Sequence, residues 1–556
     1  MSKKQKIIFA LIFIICLFTQ ILPVFRSGLF YQYGIGFWGS NGHDAIWHLS
    51  LINHITNPFK IKLPIYSDAL LNNYHPFFDI LIAFFSKVTT INSSIWYFQI
   101  FPIISTIILL ITSYKIGQKL TGKFSGGIIL IFLNSFANSF GWLVSLIKNG
   151  QIGGESLFWA MQSPSNQLNP PYTLSLIFIN LLLLILLNKS NKKFPLSLAI
   201  IILLSLTPIT KSYGGVVIYL IYGFYALINL KKDRHYLKLL LLSLPISYFI
   251  FSLYNQTSSS ASIFIFQPFW FVNSLIESPD RLYIPVLASM RYSLESSGHI
   301  GPRLILIYLI TTGLFYLGNF SWRIFGIFSL KSFKSTLKFP LFFTLIITCL
   351  IPLFFIQKGT SWNTVQFMYY SLFIGNIFLT YFLTQKAKYV KFIILPIVII
   401  TTIIASYESF QRYLSNPAPS SLPFNEISAL NFLKDKPDGI ILTYPYDKYQ
   451  KNHMSAPVPL YAYETTAYVS TFSHKITFLE DEMNLDITGY NWQLRRQLVN
   501  KFFTSTDKFF SRGVLVDNNI KYIYLLDQQK LSLSQQDLEI DQIYNQDGVS
   551  IFQVRR

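Results

Sequence analysis

Residues 38–79 read WGSNGHDAIWHLSLINHITNPFKIKLPIYSDALLNNYHPFFD, and the reading of this stretch decides that of the whole chain. It is a polar, histidine-rich island in an otherwise apolar sequence. Four of the eight histidines fall here, His43, His48, His54 and His75, together with Asp44, Asp68 and Asp79. Residues 1–407 hold only five other acids, Glu155, Asp233, Glu277, Asp280 and Glu295. Carboxylates beside a bilayer are costly unless they serve a purpose, so the island is the place to look for chemistry.

A helix over 43–56 puts Asp44 and His48 at i, i+4 on one face, with Trp47, Leu51 and Ile55 as an apolar stripe beside them. Such a helix is expected to lie flat at the membrane surface, with Trp47 at headgroup level and Asp44 and His48 turned to water. That geometry suits a substrate that is half lipid and half water-soluble.

Outward from the island the composition is that of a polytopic membrane protein: 52% hydrophobic, 17% aromatic and 13% charged over 556 residues. The net charge of +20 is unevenly spread. From residue 408 onward 15 basic residues face 17 acidic ones, whereas residues 1–407 carry 30 basic and 8 acidic. The excess belongs to the apolar part, where positive cytoplasmic loops explain it better than nucleic-acid binding does. Cys16 and Cys349 both lie in apolar runs, which offers neither a disulfide framework nor a thiolate metal site. MSKKQK followed by an apolar run to Phe25, with no small-residue cleavage site, reads as an uncleaved first helix.

Apolar runs of roughly spanning length begin near residues 7, 96, 124, 172, 194, 213, 237, 303, 339, 365 and 391, about eleven transmembrane helices. Residues 76–90 form a shorter run interrupted by Asp79 and Lys87, read as interfacial or re-entrant. With the N-terminus cytoplasmic, eleven crossings put every dense basic cluster inside: Lys115/Lys119/Lys123, Lys189/Lys192/Lys193, Lys231/Lys232/Arg234/Lys238, Arg323/Lys331/Lys334/Lys338 and Lys386/Lys388/Lys391. Counting 76–90 as a span would put them all outside. The predicted domains are therefore 1–407, a membrane domain with an outward first loop at 26–95, and 408–556, an extracytoplasmic α/β domain. The latter opens with the turn-rich SNPAPSSLP. NEISALNFLKDK and NWQLRRQLVNKFF read as helices, and DGIILTYPY, IKYIYLLDQ and GVSIFQV as strands. No Gly-rich phosphate loop, HExxH or GxSxG occurs in it, which favours a scaffold or recognition lid.

The N-terminal helix, the outward loop with an acid near its start, and then YHPFFDILIAFFSKVTTINSSIWYFQIFPIISTIILLITSYKIGQKLTGKFSGGIILIF (74–132) resemble the first third of membrane glycosyltransferases of the C-type (GT-C) superfamily. The tail, with YVSTFSHKITFLEDE and NNIKYIYLLD, is similar to the outward domains of bacterial multi-pass members. Where some members carry an acidic pair, Asp44 is preceded by His43. The resemblance implies a multi-pass plasma-membrane (cell-envelope) protein. It also implies that a sugar passes from a polyprenyl-phosphate donor to a glycan, lipid or protein acceptor on the outer face.

Transfer from a lipid phosphate needs fewer groups than glycoside hydrolysis, because phosphate leaves readily as an anion. One base for the acceptor hydroxyl and cations for the phosphate suffice. Asp44 is the candidate base, since an ordinary aspartate is ionised at neutral pH, with His43 or His48 setting its geometry. The bland alternative is a helix-start carboxylate facing backbone amides. Lys211, Arg281, Arg291 and Arg303, with His299 nearby in sequence, are candidates to hold the donor phosphate; headgroup anchoring and snorkelling are their ordinary alternatives. His75 and Asp79 are expected to support the site or the acceptor. A divalent metal is a further candidate, with His43, Asp44 and Glu155 as ligands and His48 and His75 in reach. Trp38, Trp47, Trp159 and Trp270 are read as interface anchors. Two other functions compete. A polysaccharide polymerase or ligase would place its essential residues at Arg291, His299 and Arg303. A non-enzymatic transporter of lipid-linked sugars would need ionisable groups within the spans, and the acids lie almost entirely in loops.

Overall fold

The computed structural model describes residues 1–188, 193–256, 264–298, 300–385 and 390–555; His299 and the lysines at 189, 192, 386 and 388 lie outside the described residues. The chain forms two compact units, one of residues 1–23, 102–252 and 258–414, the other of residues 24–101, 253–257 and 415–556.

The first unit is helical. Each of the eleven apolar runs falls on a helix. Across the described residues, seven helices are long and apolar enough to cross a membrane, or eight if the bent pair Phe124–Phe136 and Gly141–Asn149 counts as one. Phe194–Thr210, Ser212–Ile228 and Lys338–Phe354 are apolar but shorter, so the length criterion counts fewer crossings than the hydropathy runs imply. The helix Pro170–Leu187 has no single apolar face, as befits one packed among others, and 13 of its 18 residues are buried. In lipid the packing of such helices rests on close fit and on hydrogen bonds between them. Gly117 and Gly126 supply the fit: a Cβ on either collides with the other's carbonyl.

Arg323, counted from the sequence in a basic cluster with Lys331, Lys334 and Lys338, is buried among helices. It lies within the candidate span Pro302–Ser329. Its Nε donates to Asn376 Oδ1 at 2.8 Å, Nη1 to Gln162 Oε1 at 2.9 Å, and Nη2 to the Ala137 carbonyl at 2.9 Å. Asn376 in turn donates to Asn134 Oδ1 at 3.0 Å. The helix ending at Phe136 leaves carbonyls that no subsequent turn satisfies, and the guanidinium satisfies one of them.

The second unit is α/β, as predicted for the C-terminal part. Residues 24–101 pack in it with residues 415–556. Phe30–Tyr31 and Gly34–Phe37 join Ser420–Leu422 and Val458–Pro459 in one sheet, with Ile35 paired to Leu422 and Phe37 to Ser420. A second sheet runs Ile440–Thr443, Ile520–Leu526, Val549–Val554, Ile540–Gln546, its first pair parallel and the rest antiparallel. The predicted helices appear as Phe424–Lys434 and Gln493–Thr504. Residues 76–90 hold the 13-residue helix Phe77–Thr89, which packs in this unit with Phe78, Asp79 and Ile82 buried.

Beneath the second sheet the Tyr524 hydroxyl donates to the buried Glu426 at 3.0 Å. Burial pushes the Glu426 pKa up from 4.5 to about 7 despite hydrogen bonds from Tyr524 and Tyr468 that oppose the rise. A carboxyl that binds its proton more tightly folded than unfolded costs stability as pH rises from the unfolded value through the folded one. The expected result is that this unit melts at a higher temperature at pH 5 than at pH 8. Glu426→Gln should flatten that dependence, by roughly 3 kcal/mol across the window. Thermal unfolding followed by circular dichroism at the two pH values measures it.

Candidate active site

The island forms a helix, Asp44–His54, preceded by the short 3-10 turn Gly39–Gly42. Its surroundings differ from the predicted membrane surface. Ala45 to Ile52 are all buried, and the helix packs against Tyr468–Ser473 of the C-terminal segment. Ser50 Oγ and Ser470 Oγ share a hydrogen bond of 2.9 Å, the Thr471 hydroxyl donates to the Ile46 carbonyl at 3.0 Å, and Asn53 Nδ2 donates to the Thr471 carbonyl at 3.0 Å. The stripe of Trp47 and Leu51 therefore serves protein packing. Trp47 donates its indole N–H to the Tyr74 hydroxyl at 2.9 Å, and Trp38 is buried with its indole on the Ser415 carbonyl at 3.1 Å. Neither acts as an interface anchor.

Asp44 is the exception on this helix. It occupies the first position, with 58% of its side chain exposed. His43 just before it is 3% exposed and spans two carboxylates: Nδ1 meets Asp44 Oδ1 at 2.8 Å and Nε2 meets Asp481 Oδ1 at 3.3 Å. Burial alone would lower the His43 pKa, but the charges and hydrogen bonds of Asp481 and Asp44 outweigh it and hold the imidazole well above its usual range. Both ring nitrogens then donate, one to each acid. Asp481 is fully buried and is itself fixed by Asn484, whose backbone N–H donates at 3.2 Å and side-chain amide at 2.8 Å. A rigid Asp481–His43 brace thus holds one oxygen of an otherwise accessible carboxylate.

His48 shares the helix face but makes a second arrangement. Its Nδ1 meets Asp79 Oδ1 at 2.7 Å, with the Tyr74 hydroxyl 3.4 Å away. Phe78 and Tyr97 close around the ring at centroid distances of 5.6 and 5.8 Å. Asp79 is fully buried, and burial raises its pKa against the opposing pull of His48. His75 stacks on Tyr74 at 4.7 Å.

The remaining candidates belong to the helical unit. Glu155 accepts from Ser165 Oγ at 2.9 Å, Ser409 Oγ at 3.0 Å and the Gln162 N–H at 3.2 Å. Arg291 is buried and held by Glu277, with Glu295 at 3.5 Å, so carboxylates already occupy its guanidinium. Arg281 lies over the Trp159 ring at 3.8 Å. Lys211 is buried at the start of Ser212–Ile228, 5.7 Å from the Tyr213 ring centre. Arg303 is exposed on the first turn of Pro302–Phe320. For the predicted metal, among the described residues no three His, Cys, Asp or Glu side chains form a group that could hold an ion. His43 has both nitrogens turned to carboxylates, and the Glu155 oxygens carry three donors. The predicted set does not fit a metal.

Sequence patterning singled out Asp44 and His43 but not Asp481, which meets His43. The dense acids of FLEDE were the available signal, in a segment that otherwise stood out only for its likeness to outward domains.

No protein-family model matches the chain, and no curated protein matches it significantly. Solved structures do. The Archaeoglobus fulgidus oligosaccharyltransferase, tethered with an acceptor peptide containing the NVT sequon, is 11% identical, with 95% of this chain and 69% of that one covered and a TM-score of 0.53. The archaeal oligosaccharyltransferase in complex with an inhibitory peptide and a dolichol-phosphate is 10% identical over 95% and 70%, with a TM-score of 0.49. The mycobacterial arabinofuranosyltransferase AftD is 11% identical over 100% and 40%, with a TM-score of 0.48. The fold is shared with the Archaeoglobus fulgidus oligosaccharyltransferase.

Proposed function

We propose that the protein is an inverting membrane glycosyltransferase that moves a sugar from a polyprenyl-phosphate donor to an acceptor hydroxyl on the outer face of the membrane. The observation that carries this reading is the accessible Asp44 carboxylate braced by a buried imidazole. The GT-C fold supports it.

In the proposed step the acceptor O–H gives its proton to the exposed Asp44 carboxylate. The acceptor oxygen bonds to the anomeric carbon as the bond from that carbon to the phosphate oxygen breaks, and polyprenyl phosphate leaves with the electron pair. His43 works through Asp44: it fixes the carboxylate's direction and keeps its second oxygen from rotating into the reaction. Asp481 keeps His43 in place. His48 and Asp79 tie the helix to Phe77–Thr89 and act on packing. Arg291, with two carboxylates around it, is better suited to bracing its own loop, and this also weakens the polymerase or ligase alternative.

Reconstituted protein supplied with polyprenyl-phosphate glucose, mannose, galactose or arabinose and a cell-envelope extract should release polyprenyl phosphate and form one glycoside of opposite anomeric configuration. Label that stays on every carrier, or a product of retained configuration, overturns the proposal. Asp481→Asn should lower kcat by about tenfold with KM for donor little changed, because it loosens the brace without touching substrate.

A further inference from the structure

Beside the brace, wholly inside the α/β unit, lies a cavity of about 60 Å³ whose wall includes Tyr446, Tyr461, Glu464, Thr466, Asp481 and Glu482. Asp481 is thus shared between the cavity and the His43–Asp44 pair. Most of the wall's polar groups are committed. Asp481 is held by His43 and Asn484. Glu482 pairs with Arg496, which also donates to the Tyr446 carbonyl at 2.6 Å. Glu480, also on the wall, accepts the backbone N–H groups of Val469 at 2.7 Å and Ser470 at 3.0 Å.

Two groups are not committed. Thr466 is 5% exposed, and its hydroxyl has no hydrogen-bond partner among the described residues. A buried hydroxyl without a partner costs roughly 1–3 kcal/mol, so its position on a cavity wall points to something that fills the space. Glu464 is half-buried and makes no ion pair among the described residues; burial raises its pKa, while His43 and Lys451 pull it back. A cation placed against it would favour its charged form.

We infer that this cavity, whose wall also includes Tyr446 and Tyr461, is an acceptor subsite for a primary ammonium group held by Glu464 and Thr466. An ammonium has three donors and no acceptor, which matches a carboxylate and a hydroxyl lone pair on the wall. Tyrosine rings within reach of a cation add attraction that a neutral hydroxyl does not receive. The volume holds only a few water-sized groups, so it takes the amine tip of a molecule and leaves the rest outside. Because the wall is shared with the brace, the subsite would present a neighbouring hydroxyl of an amino sugar toward Asp44, or seat the ammonium of an ethanolamine headgroup beside it. This rests on the transferase reading for its purpose but not for its measurement.

The test is ligand-observed saturation-transfer NMR on the full chain in detergent at pH 7, with glucosamine, N-acetylglucosamine, glucose and phosphoethanolamine as probes. Glucosamine or phosphoethanolamine should bind at least about tenfold more tightly than N-acetylglucosamine and glucose, as a charge-assisted hydrogen bond requires. The stronger of the two amines identifies the source, sugar or headgroup, and either result supports the subsite. Glu464→Gln should remove the preference, and Thr466→Val should weaken amine binding about threefold to tenfold, with unchanged thermal unfolding as the check on folding. Equal binding of glucosamine and N-acetylglucosamine, no binding of either amine, or a preference that survives Glu464→Gln overturns the inference. Asp44→Asn should keep the amine preference, so loss of transfer and loss of binding are read separately.

Discussion

Asp44→Asn lowers kcat for sugar transfer by about 10²–10⁴-fold, the range that a positioned general base supplies. Asparagine keeps the shape and a carbonyl that still accepts the His43 N–H, so the brace and the helix start survive. What disappears is the lone pair that takes the acceptor proton. Membrane insertion, the melting temperature and donor binding are expected to stay near wild type, because more than half of the side chain is exposed. Turnover should fall with KM for donor unchanged, the pattern of an interaction made only in the transition state. Wild-type turnover in this variant removes Asp44 from the mechanism. A glutamate there, one methylene longer, should recover little, since misplacing a reacting group by about 1 Å costs on the order of 10²-fold.

His48→Ala has its largest effect on stability. It leaves the Asp79 carboxylate fully buried and without its imidazole, and breaking a buried pair from one side costs about 3–5 kcal/mol. Chemical denaturation followed by the fluorescence of nearby Trp47 reports it. Exchange of both partners for apolar residues of similar size, His48→Phe with Asp79→Leu, should recover most of the loss, because the surroundings are Phe78 and Tyr97. If His48 contributes only packing, that double variant retains transfer in proportion to the folded fraction. Loss of transfer in a well-folded double variant would return His48 to the reaction.

The sequence made the helical segments legible because each is a long apolar run with basic punctuation. The helix at Asp44 was legible from its spacing. Its environment was not: Trp47 and Leu51 look the same in a sequence whether they face headgroups or the helix Tyr468–Ser473. Arg323 was miscounted for a related reason. A lone arginine near other basic residues reads as part of a loop, and only the termination of the helix at Phe136 shows which carbonyls it serves. The dense acids of FLEDE marked Asp481, but its pairing with His43, 438 residues away, was not legible. Within 38–79, His43 and His48 were equivalent by composition, and their partners alone separate them.

Ile35 can pair with Leu422 only late in biosynthesis. As the polypeptide emerges, the early segment that carries Asp44 has no sheet to join until Leu422 has been translated and the apolar helices between the two strands have been delivered to the bilayer. A segment waiting that long with Trp38, Trp47 and Phe78 uncovered depends on rapid lipid insertion of those helices, or on a chaperone, to avoid premature association.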